Sequence, residues 1–399
     1  MLSTTAKPYI DASVPVLREH GLAITTTFYQ NMLTAHPELK NIFNLGNQAN
    51  GSQQLSLASA VFAYAANIEN QSALAPVIER IVHKHASVGI KPSHYPIVGR
   101  YLLGAIKSVL GDAATPDLIA AWDEAYWLLA GELIAAEAKL YQSKGIAADA
   151  WLKMKVIEIT PQSEDIFSLT LVPHGHDTLP EFKPGQYISV ATYLEDMNVR
   201  QIRQYSLSDG PNKTTLRISI KRERAENSKP DGQISNWLHN NIKIGSVLDV
   251  SYPFGNFTPD IAAAKPIVLI SAGVGITPMI SILKAITHQN PERSILFAHS
   301  ARSVNALAHK DDIQWSLSRL HNLKTKLYLN ETPADDGKFI HGLVNLTDIV
   351  TDDYMEGEFY ICGPISFMND QWKVLLALGV NPEKIHREVF GPESLNHLL

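Results

Sequence analysis

Apolar positions recur at helical spacing over the first third of the chain, from about residue 8 to residue 142. The series Ile78, Ile81, Val82 and His85 is one example, because a helix with about 3.6 residues per turn places all four on one face. We therefore expect an all-helical domain over residues 1–143, followed by a linker at residues 144–150.

The pattern changes to short apolar runs rich in β-branched residues between residues 153 and 257. Leu216 to Ile220 is such a run, and Pro-Gly and Asp-Gly turn signals separate the runs. From residue 265 onward, continuous apolar runs are separated by segments of helix length, which is typical of a parallel sheet covered on both faces. The pattern predicts an antiparallel β-barrel over residues 150–260 and an α/β domain over residues 264–399.

Composition agrees with several packed cores and narrows the range of partners. The 399 residues are 45% hydrophobic and 19% charged, and the net charge of −6 disfavours a nucleic-acid partner. Cys362 is the sole cysteine, which excludes an intramolecular disulfide and a four-cysteine zinc site and fits a reducing compartment. We expect a cytoplasmic chain that needs no obligatory protein partner.

No segment has the pattern of an export signal or a membrane span. The first seven residues lack a basic start followed by an apolar stretch. The uncharged stretch from Pro266 to Leu283 contains prolines and glycines, so we interpret it as a buried strand, a turn and the start of a helix. No stable membrane insertion is expected.

Two turns of the α/β region are candidates for binding a nucleotide. The first follows the strand at Ile267–Ile270, and its glycines would let a phosphate approach the positive end of a helix; it is Gly273-Val274-Gly275-Ile276-Thr277-Pro278. We expect Thr277 to cap this helix and Pro278 to occupy its first position. The second turn, Cys362-Gly363-Pro364, also follows an apolar strand, and Cys362 reads as a positioning residue because no base lies beside it in sequence. Tight turns without a ligand are the alternative.

A third candidate lies in the β region, where Arg203-Gln204-Tyr205-Ser206 offers a cation, an aromatic ring and a hydroxyl. A guanidinium pairs with phosphate and a ring stacks on a flat heterocycle, so the set suits an aromatic cofactor that carries phosphates. An exposed strand of mixed polarity is the alternative.

Two ionisable residues of the helical region continue apolar faces. His85 shares its face with apolar residues, whereas His83 and Lys84 point elsewhere; a lone histidine there is more often a hydrogen-bonded core residue than a metal ligand. Glu137 continues the stripe of Tyr126, Ala130, Leu133 and Ile134, where an unpaired carboxylate would be costly. A Glu at the helix end tilted into solvent is the alternative.

Four ordered motifs make the region after residue 150 similar to ferredoxin-NADP reductase-like flavoenzymes: the three above and Phe390-Gly391-Pro392 near the C-terminus. The resemblance implies that Arg203 binds the FAD pyrophosphate, that Tyr205 stacks on the flavin and that Ser206 lies near its reactive nitrogen. Lys183-Pro184-Gly185-Gln186-Tyr187 and Gly232-Gln233-Ile234-Ser235 resemble further FAD-contacting segments. The cofactor-binding set that we predict here is Tyr187, Arg203, Gln204, Tyr205, Ser206, Gly232, Gln233, Ser235, Gly273, Val274, Gly275, Ile276, Thr277, Pro278, Cys362, Gly363, Pro364, Glu388, Val389, Phe390, Gly391 and Pro392.

Because these motifs follow it in sequence, the helical segment closely resembles the globin domain of flavohaemoglobins. The resemblance then covers essentially the whole chain. It implies that His85 is the proximal ligand of haem iron and that Phe43 packs on the porphyrin. It also implies a distal pocket and a proximal relay: Tyr29, Gln53 and Leu57 line the pocket, Tyr95 and Glu137 hydrogen-bond to the proximal imidazole, and Lys84 lies near the haem edge.

The resemblance implies a nitric oxide dioxygenase that uses haem b, FAD and NAD(P)H and acts on NO and O₂. A flavin is needed to convert a two-electron donor into single electrons. A reductase of hydroperoxides or other acceptors is one alternative, and a haem-based oxygen carrier or sensor is another, although the latter has little use for two electron-supplying domains. NADH is the expected donor; Arg302 could accept a 2′-phosphate, and Ile276 stands where the family has Gln.

Overall fold

The computed structural model describes residues 2–49, 51–68, 70–225, 230–331 and 338–392. The chain divides into two compact units. The first comprises residues 1–151, 191–203 and 391–399, and the second comprises residues 152–190 and 204–390.

The first unit is built on α-helices, as the apolar spacing predicts. They are α1 Lys7–Ala35, α2 Leu45–Ala49, α3 Ser52–Ala66, α4 Gln71–Val88, α5 His94–Leu110 and α6 Pro116–Lys144, with 3-10 turns at Pro37–Asn41 and Gly111–Ala113. Thr115 caps α6 by accepting the Leu118 amide at 3.2 Å, and α6 ends at Gly145 with φ +64°. In the described part of the chain, no helix is long and apolar enough to cross a membrane.

The middle third of the sequence forms a six-stranded antiparallel sheet with the order β4-β3-β6-β1-β2-β5. Its strands are β1 Trp151–Pro161, β2 Ile166–Pro173, β3 Tyr187–Leu194, β4 Val199–Ser206, β5 Leu216–Lys221 and β6 Val247–Ser251, with α7 Gln233–Asn241 between β5 and β6. The first five residues of β4 are grouped with the helices in the first unit. This sheet confirms the prediction of an antiparallel β domain.

A six-stranded parallel sheet with the order β10-β9-β8-β7-β11-β12 forms the rest of the second unit. Its elements are β7 Ile267–Ala272, α8 Ile276–Gln289, β8 Ile295–Ala301, α9 Lys310–Leu317, β9 Leu323–Leu329, β10 Ile340–His341, β11 Glu358–Cys362, α10 Ile365–Ala377 and β12 Ile385–Glu388. Alternate residues of β7 enter two different cores: Ile267 and Leu269 pack with α8, whereas Val268 and Ile270 pack with α10. The sheet is therefore covered on both faces, as predicted.

The predicted cap of α8 is wrong. The helix begins at Ile276, with Gly275 before it, and the Thr277 hydroxyl donates to the Val274 carbonyl at 3.0 Å instead of accepting an amide. A 3-10 turn from Gly273 to Gly275 leads directly into the helix, so Thr277 already lies inside it and Pro278 is its third residue instead of its first. Gly273 starts the turn with φ +54°, a conformation that favours glycine.

A partly buried ionic cluster joins the antiparallel sheet to the helices of the parallel-sheet domain within the second unit. The Asp312 carboxylate lies 2.8 Å from Arg217, 2.8 Å from the His309 Nδ1 and 3.3 Å from Lys284, which in turn lies 2.7 Å from Asp209. Burial alone would raise the pKa of Asp312, but the hydrogen bond from His309 and the two cations outweigh it and hold that pKa well below its usual range. Removing one partner would leave a partly buried charge without its counterion.

A second buried histidine, His299 on β8, is only 1% exposed. Its Nδ1 lies 2.9 Å from the Ser271 hydroxyl. Burial, helped by the charge of nearby His309, lowers the pKa of His299 from its ordinary 6.5 to about 3, against the opposing effect of Ser271. The folded chain therefore holds this imidazole neutral.

Acidification is expected to destabilise the chain through His299. Below the usual imidazole pKa, His299 binds a proton in the unfolded chain but stays neutral in the folded chain. Acid therefore favours unfolding by about 1.4 kcal/mol per pH unit. The free energy of unfolding is measured with urea at about pH 7 and about pH 5. Between these two pH values, His299→Gln should lose about 2 kcal/mol less of this free energy than the parent loses. His321→Gln, at an exposed position, is the matched control. Equal losses in parent and His299→Gln would contradict this account.

Candidate functional site

Three helices of the first unit bring His85, Tyr95 and Glu137 together. The His85 Nδ1 lies 2.8 Å from Glu137 Oε1, and the Tyr95 hydroxyl donates to the same oxygen at 2.5 Å. The Tyr95 hydroxyl is also 3.3 Å from His85 Nδ1. The residues lie on α4, α5 and α6, so packing of the helices, and not local sequence, forms this cluster.

Burial gives the cluster its chemistry. Glu137 is only 2% exposed, and its Oε2 has no hydrogen-bond partner among the described residues. Burial, followed by the hydrogen bond to Glu137 and its charge, raises the pKa of Tyr95, so the phenol keeps its proton. Both hydrogen bonds of His85 use Nδ1, which leaves Nε2 for a metal. A carboxylate on one imidazole nitrogen is the usual support of a histidine that ligates iron through the other, so these residues fit a haem.

Tyr126 supports this cluster from α6, and the sequence reasoning placed it only in an apolar stripe. Its hydroxyl donates to the Tyr95 carbonyl at 2.5 Å. The ring lies so close to α5 that a Cβ on Gly99 would be 2.5 Å from its Cε1. The sequence could not predict this contact, because the pairing of a glycine with a tyrosine on another helix leaves no periodic pattern along the chain.

Tyr29, predicted for a distal pocket, and Phe43, predicted to pack on the porphyrin, lie edge to face with ring centroids 5.7 Å apart. Burial raises the pKa of Tyr29 to about 12, against the opposing effect of the neighbouring side chains of Gln53 and Gln48. Leu57, one helical turn after Gln53, packs against the helical core to which Tyr29 belongs. The structure therefore brings Tyr29 together with Phe43 and Gln53 and adds Gln48, which the sequence reasoning missed because α2 is too short to show a pattern.

Lys84 and His83, which precede His85 in sequence, have interactions of their own. The Lys84 Nζ donates to the Gly391 carbonyl at 2.8 Å, within the same unit. His83 is partly buried, which lowers its pKa, and it lies near the charges of Glu79 and Lys144.

The four residues of the Arg203 motif form the end of β4. Arg203 donates through Nη1 to the Ile202 carbonyl at 2.8 Å and to Gln201 Oε1 at 3.3 Å. Gln204 and Tyr205 are partly exposed, and Ser206 is 4% exposed. The Ser206 hydroxyl has no hydrogen-bond partner among the residues described, and a buried hydroxyl without one has capacity for a ligand atom, which fits an FAD site.

Two further segments predicted to contact FAD have ordered geometry. Tyr187 is buried and exchanges backbone hydrogen bonds with Phe254, both at 2.9 Å. Helix α7 begins at Gln233 after Gly232, and the Ser235 hydroxyl donates to the Gly232 carbonyl at 3.1 Å. Since a Cβ on Gly232 would lie 2.6 Å from that hydroxyl, the start of α7 requires a glycine here.

The two turns predicted to bind a nucleotide lie in direct contact. Strands β7 and β11 are neighbours, and a Cβ on Gly275 would lie 2.3 Å from the Cys362 carbonyl oxygen and 2.8 Å from the Gly363 nitrogen. Cys362 is fully buried, and burial raises the pKa of its thiol, which agrees with a positioning residue. The two turns thus meet at the carboxyl edge of the parallel sheet, which is where sheets of this class bind their ligands.

The remaining predicted residues flank these turns or follow β12 in sequence. Ile276 is fully buried in the core beneath α8, so it offers no polar group. Glu388 pairs in register with Cys362, and Phe390, which follows it, is exposed. The other predicted members are Val274, Thr277, Pro278 and Pro364, which lie in or beside α8 and α10, and Val389 and Pro392, which follow β12.

Three family models match successive parts of the chain: "Globin" over residues 26–133, "Oxidoreductase FAD-binding domain" over residues 153–258 and "Oxidoreductase NAD-binding domain" over residues 269–373. The chain is therefore an oxidoreductase in which a globin is joined to a flavin- and nicotinamide-dependent reductase. The prediction of haem, FAD and NAD(P) as cofactors is confirmed at the level of these domains.

Full-length relatives identify the family. The chain is 44% identical to the flavohemoprotein of Rhizobium meliloti, covering 98% of this chain and 99% of the relative, and 42% identical to that of Bacillus subtilis, covering 98% of each. It is also similar to the crystal structure of a flavohemoglobin from Malassezia yamatoensis with bound FAD and haem, with a TM-score of 0.87, 31% identity and coverage of 98% and 100%. The chain belongs to the flavohemoprotein family, as the resemblance in sequence predicted.

Gly275→Ala should weaken both the fold and nucleotide binding. The new methyl group meets backbone atoms of Cys362 and Gly363, which cannot rotate away, so we expect a loss of about 1–3 kcal/mol and a raised KM for NADH in dye reduction. Gly131→Ala, in α6 with no atom within 4 Å of the new Cβ, is the control; it should keep the parental KM and be at least as stable as the parent, because alanine favours a helix over glycine by about 1 kcal/mol. Parental stability and KM in Gly275→Ala would refute the close approach.

Proposed function

We propose that the chain is an NAD(P)H-dependent nitric oxide dioxygenase that converts NO and O₂ to nitrate and so removes nitric oxide. The observation that carries this proposal is the buried Glu137 carboxylate on the Nδ1 of His85. The reductase part is also similar, at 35% identity and a TM-score of 0.56 over 60% of this chain, to the FAD/NAD-binding domain of a nitric oxide dioxygenase from Vibrio cholerae.

When bound, NAD(P)H supplies a hydride, FAD divides its electron pair into single electrons, and haem iron accepts them and binds O₂. The residues of this chain provide the positions and the electrostatics for that chemistry. We place the activity in the cytoplasm, where NAD(P)H is available.

On the proximal side, His85 would hold the iron through Nε2. Glu137 and Tyr95 hold the proton on Nδ1, and the carboxylate gives the imidazole more anionic character. An electron-rich ligand favours oxygen activation over simple oxygen storage. Lys84, beside His85, would tune the reduction potential of the iron through its charge.

On the distal side, the raised pKa keeps the proton on Tyr29, so its hydroxyl can donate a hydrogen bond to an oxygen ligand. Gln53 and Gln48 lie beside that hydroxyl. Phe43 and Leu57 are apolar and would exclude water from the reacting gases.

In the reductase part, Arg203 would pair with the FAD pyrophosphate, Tyr205 would stack on the flavin, and Ser206 would hydrogen-bond near its reactive nitrogen. NADH is the proposed donor. The Arg302 guanidinium lies 3.6 Å from the carboxylates of Glu164 and Asp165, and these acids would repel a 2′-phosphate.

The proposal is tested by adding NADH to the aerobic holoenzyme and following NO loss at an electrode while nitrate is quantified. We expect NADH-dependent NO loss with matching nitrate, and Glu137→Gln should lower that rate at least about tenfold with haem still bound, because the amide cannot supply the negative charge. His85→Ala should lose haem and NO consumption but retain NADH-dependent dye reduction.

Two outcomes would contradict the proposal. Haem that NADH reduces without NO loss would favour a reductase of hydroperoxides or another acceptor. Full activity in Glu137→Gln would remove the proximal carboxylate from the mechanism.

Tyr29→Phe should release O₂ faster than the parent by about tenfold, since one hydrogen bond to a charged ligand contributes about 1.5–3 kcal/mol. Stopped-flow displacement of O₂ by carbon monoxide measures this rate. NADH-dependent flavin reduction serves as the internal control and should be unchanged. An unchanged O₂ release rate would show that Tyr29 does not contact the ligand.

A further inference from the structure

Gln201, near the start of β4, has a fully buried side chain that is hydrogen-bonded to the turn before α2. Its Nε2 donates to the Lys40 carbonyl at 2.7 Å and to the Phe43 carbonyl at 3.3 Å, and its Oε1 accepts from the Leu45 amide at 3.1 Å. A glutamine amide has two donor hydrogens and one acceptor oxygen, so this turn engages both ends of the group.

The same amide also contacts the FAD motif. Gln201 Oε1 accepts from Arg203 Nη1 at 3.3 Å. The Arg203 side chain also lies close to the segment that Gln201 binds. A Cβ on Gly46 would lie 3.6 Å from Arg203 Nη2. Gln201, Arg203 and residues 40–48 all belong to the first compact unit.

The segment at residues 40–48 carries two side chains that neighbour Tyr29. Phe43 lies edge to face with the Tyr29 ring, and Gln48 is close enough to lower the pKa of the Tyr29 hydroxyl. The Phe43 carbonyl and the Leu45 amide, on either side of Asn44, are both bound by Gln201. The backbone position of Phe43 therefore depends directly on this amide.

We infer that Gln201 is a positioning residue that sets the haem-side contact of Phe43 and the FAD-side contact of Arg203 together. One rigid amide fixes both residues, so a change at position 201 alters both cofactor sites. The inference rests on the proposed roles of Phe43 and Arg203. It does not depend on which gas the haem site transforms.

The test compares two rates in the holoenzyme: release of FAD on dilution, followed by flavin fluorescence, and rebinding of carbon monoxide to haem after photolysis. Gln201→Met keeps the length of the side chain and removes its hydrogen bonds. We expect FAD release to accelerate by about tenfold and carbon monoxide rebinding to change by about threefold, with the Soret band retained.

Asn41→Ala is the matched control. Asn41 Oδ1 accepts from the Arg200 amide at 2.8 Å and so ties the same strand to the same turn through a hydrogen bond that involves neither Phe43 nor Arg203. Both rates should stay within about twofold of the parent, since only one hydrogen bond remote from the two cofactor contacts is lost.

Gln201→Glu replaces the amide by a carboxylate. It keeps an acceptor for Leu45 but turns a second oxygen toward the Lys40 and Phe43 carbonyls, and its buried negative charge pairs with Arg203 in competition with the FAD pyrophosphate, so both carbon monoxide rebinding and FAD release should change. This variant also decides the matter if Gln201→Met fails to fold.

Three results would overturn the inference. Both rates could be parental in Gln201→Met, both could change as much in Asn41→Ala, or Gln201→Glu could leave carbon monoxide rebinding at the parental rate. None of these measurements consumes nitric oxide, so failure of the proposed dioxygenase activity would be seen separately.

Discussion

A carboxylate buried inside a helical protein must find partners, and this constraint organises the first unit. Glu137 is inaccessible on α6 and is matched by His85 from α4 and Tyr95 from α5. The pairing fixes how the three helices face one another. It also orients the imidazole, because the hydrogen bonds described for it use Nδ1. The same interaction thus joins the three helices and leaves Nε2 for the iron that we propose His85 binds.

In the second unit, two turns that are distant in sequence come together at one edge of the parallel sheet. Strands β7 and β11 are separated by some eighty residues in sequence but are adjacent in space. Gly275 permits the contact because any side chain would collide with the backbone of Cys362. The partly buried cluster around Asp312 then joins the antiparallel sheet to the helices of the parallel-sheet domain through charges that are paired.

Polar side chains between elements recur at the proposed cofactor sites. The buried Glu137 is hydrogen-bonded to His85, the partly buried Gln48 and Gln53 lie beside the Tyr29 hydroxyl, and the buried Gln201 links the turn of Phe43 to the strand of Arg203. A group as buried as Glu137 or Gln201 is costly without a partner, so each of these two specifies one arrangement of its neighbours. The residues that would touch the cofactors are placed by others that do not touch them.

The order of the domains, the fold class of each one and the motifs of the reductase part can be predicted from the amino-acid sequence, because periodicity and turn composition are local properties of a chain. The sequence also points to Glu137, but it leaves open whether that carboxylate is buried or in solvent. The packing of the helices shows that it is buried, and the folded chain adds Tyr126, Gln48 and Gln201 and places Thr277 inside a helix instead of at its cap. These features depend on partners that are far away in sequence, and a single chain does not encode such pairings in any local pattern.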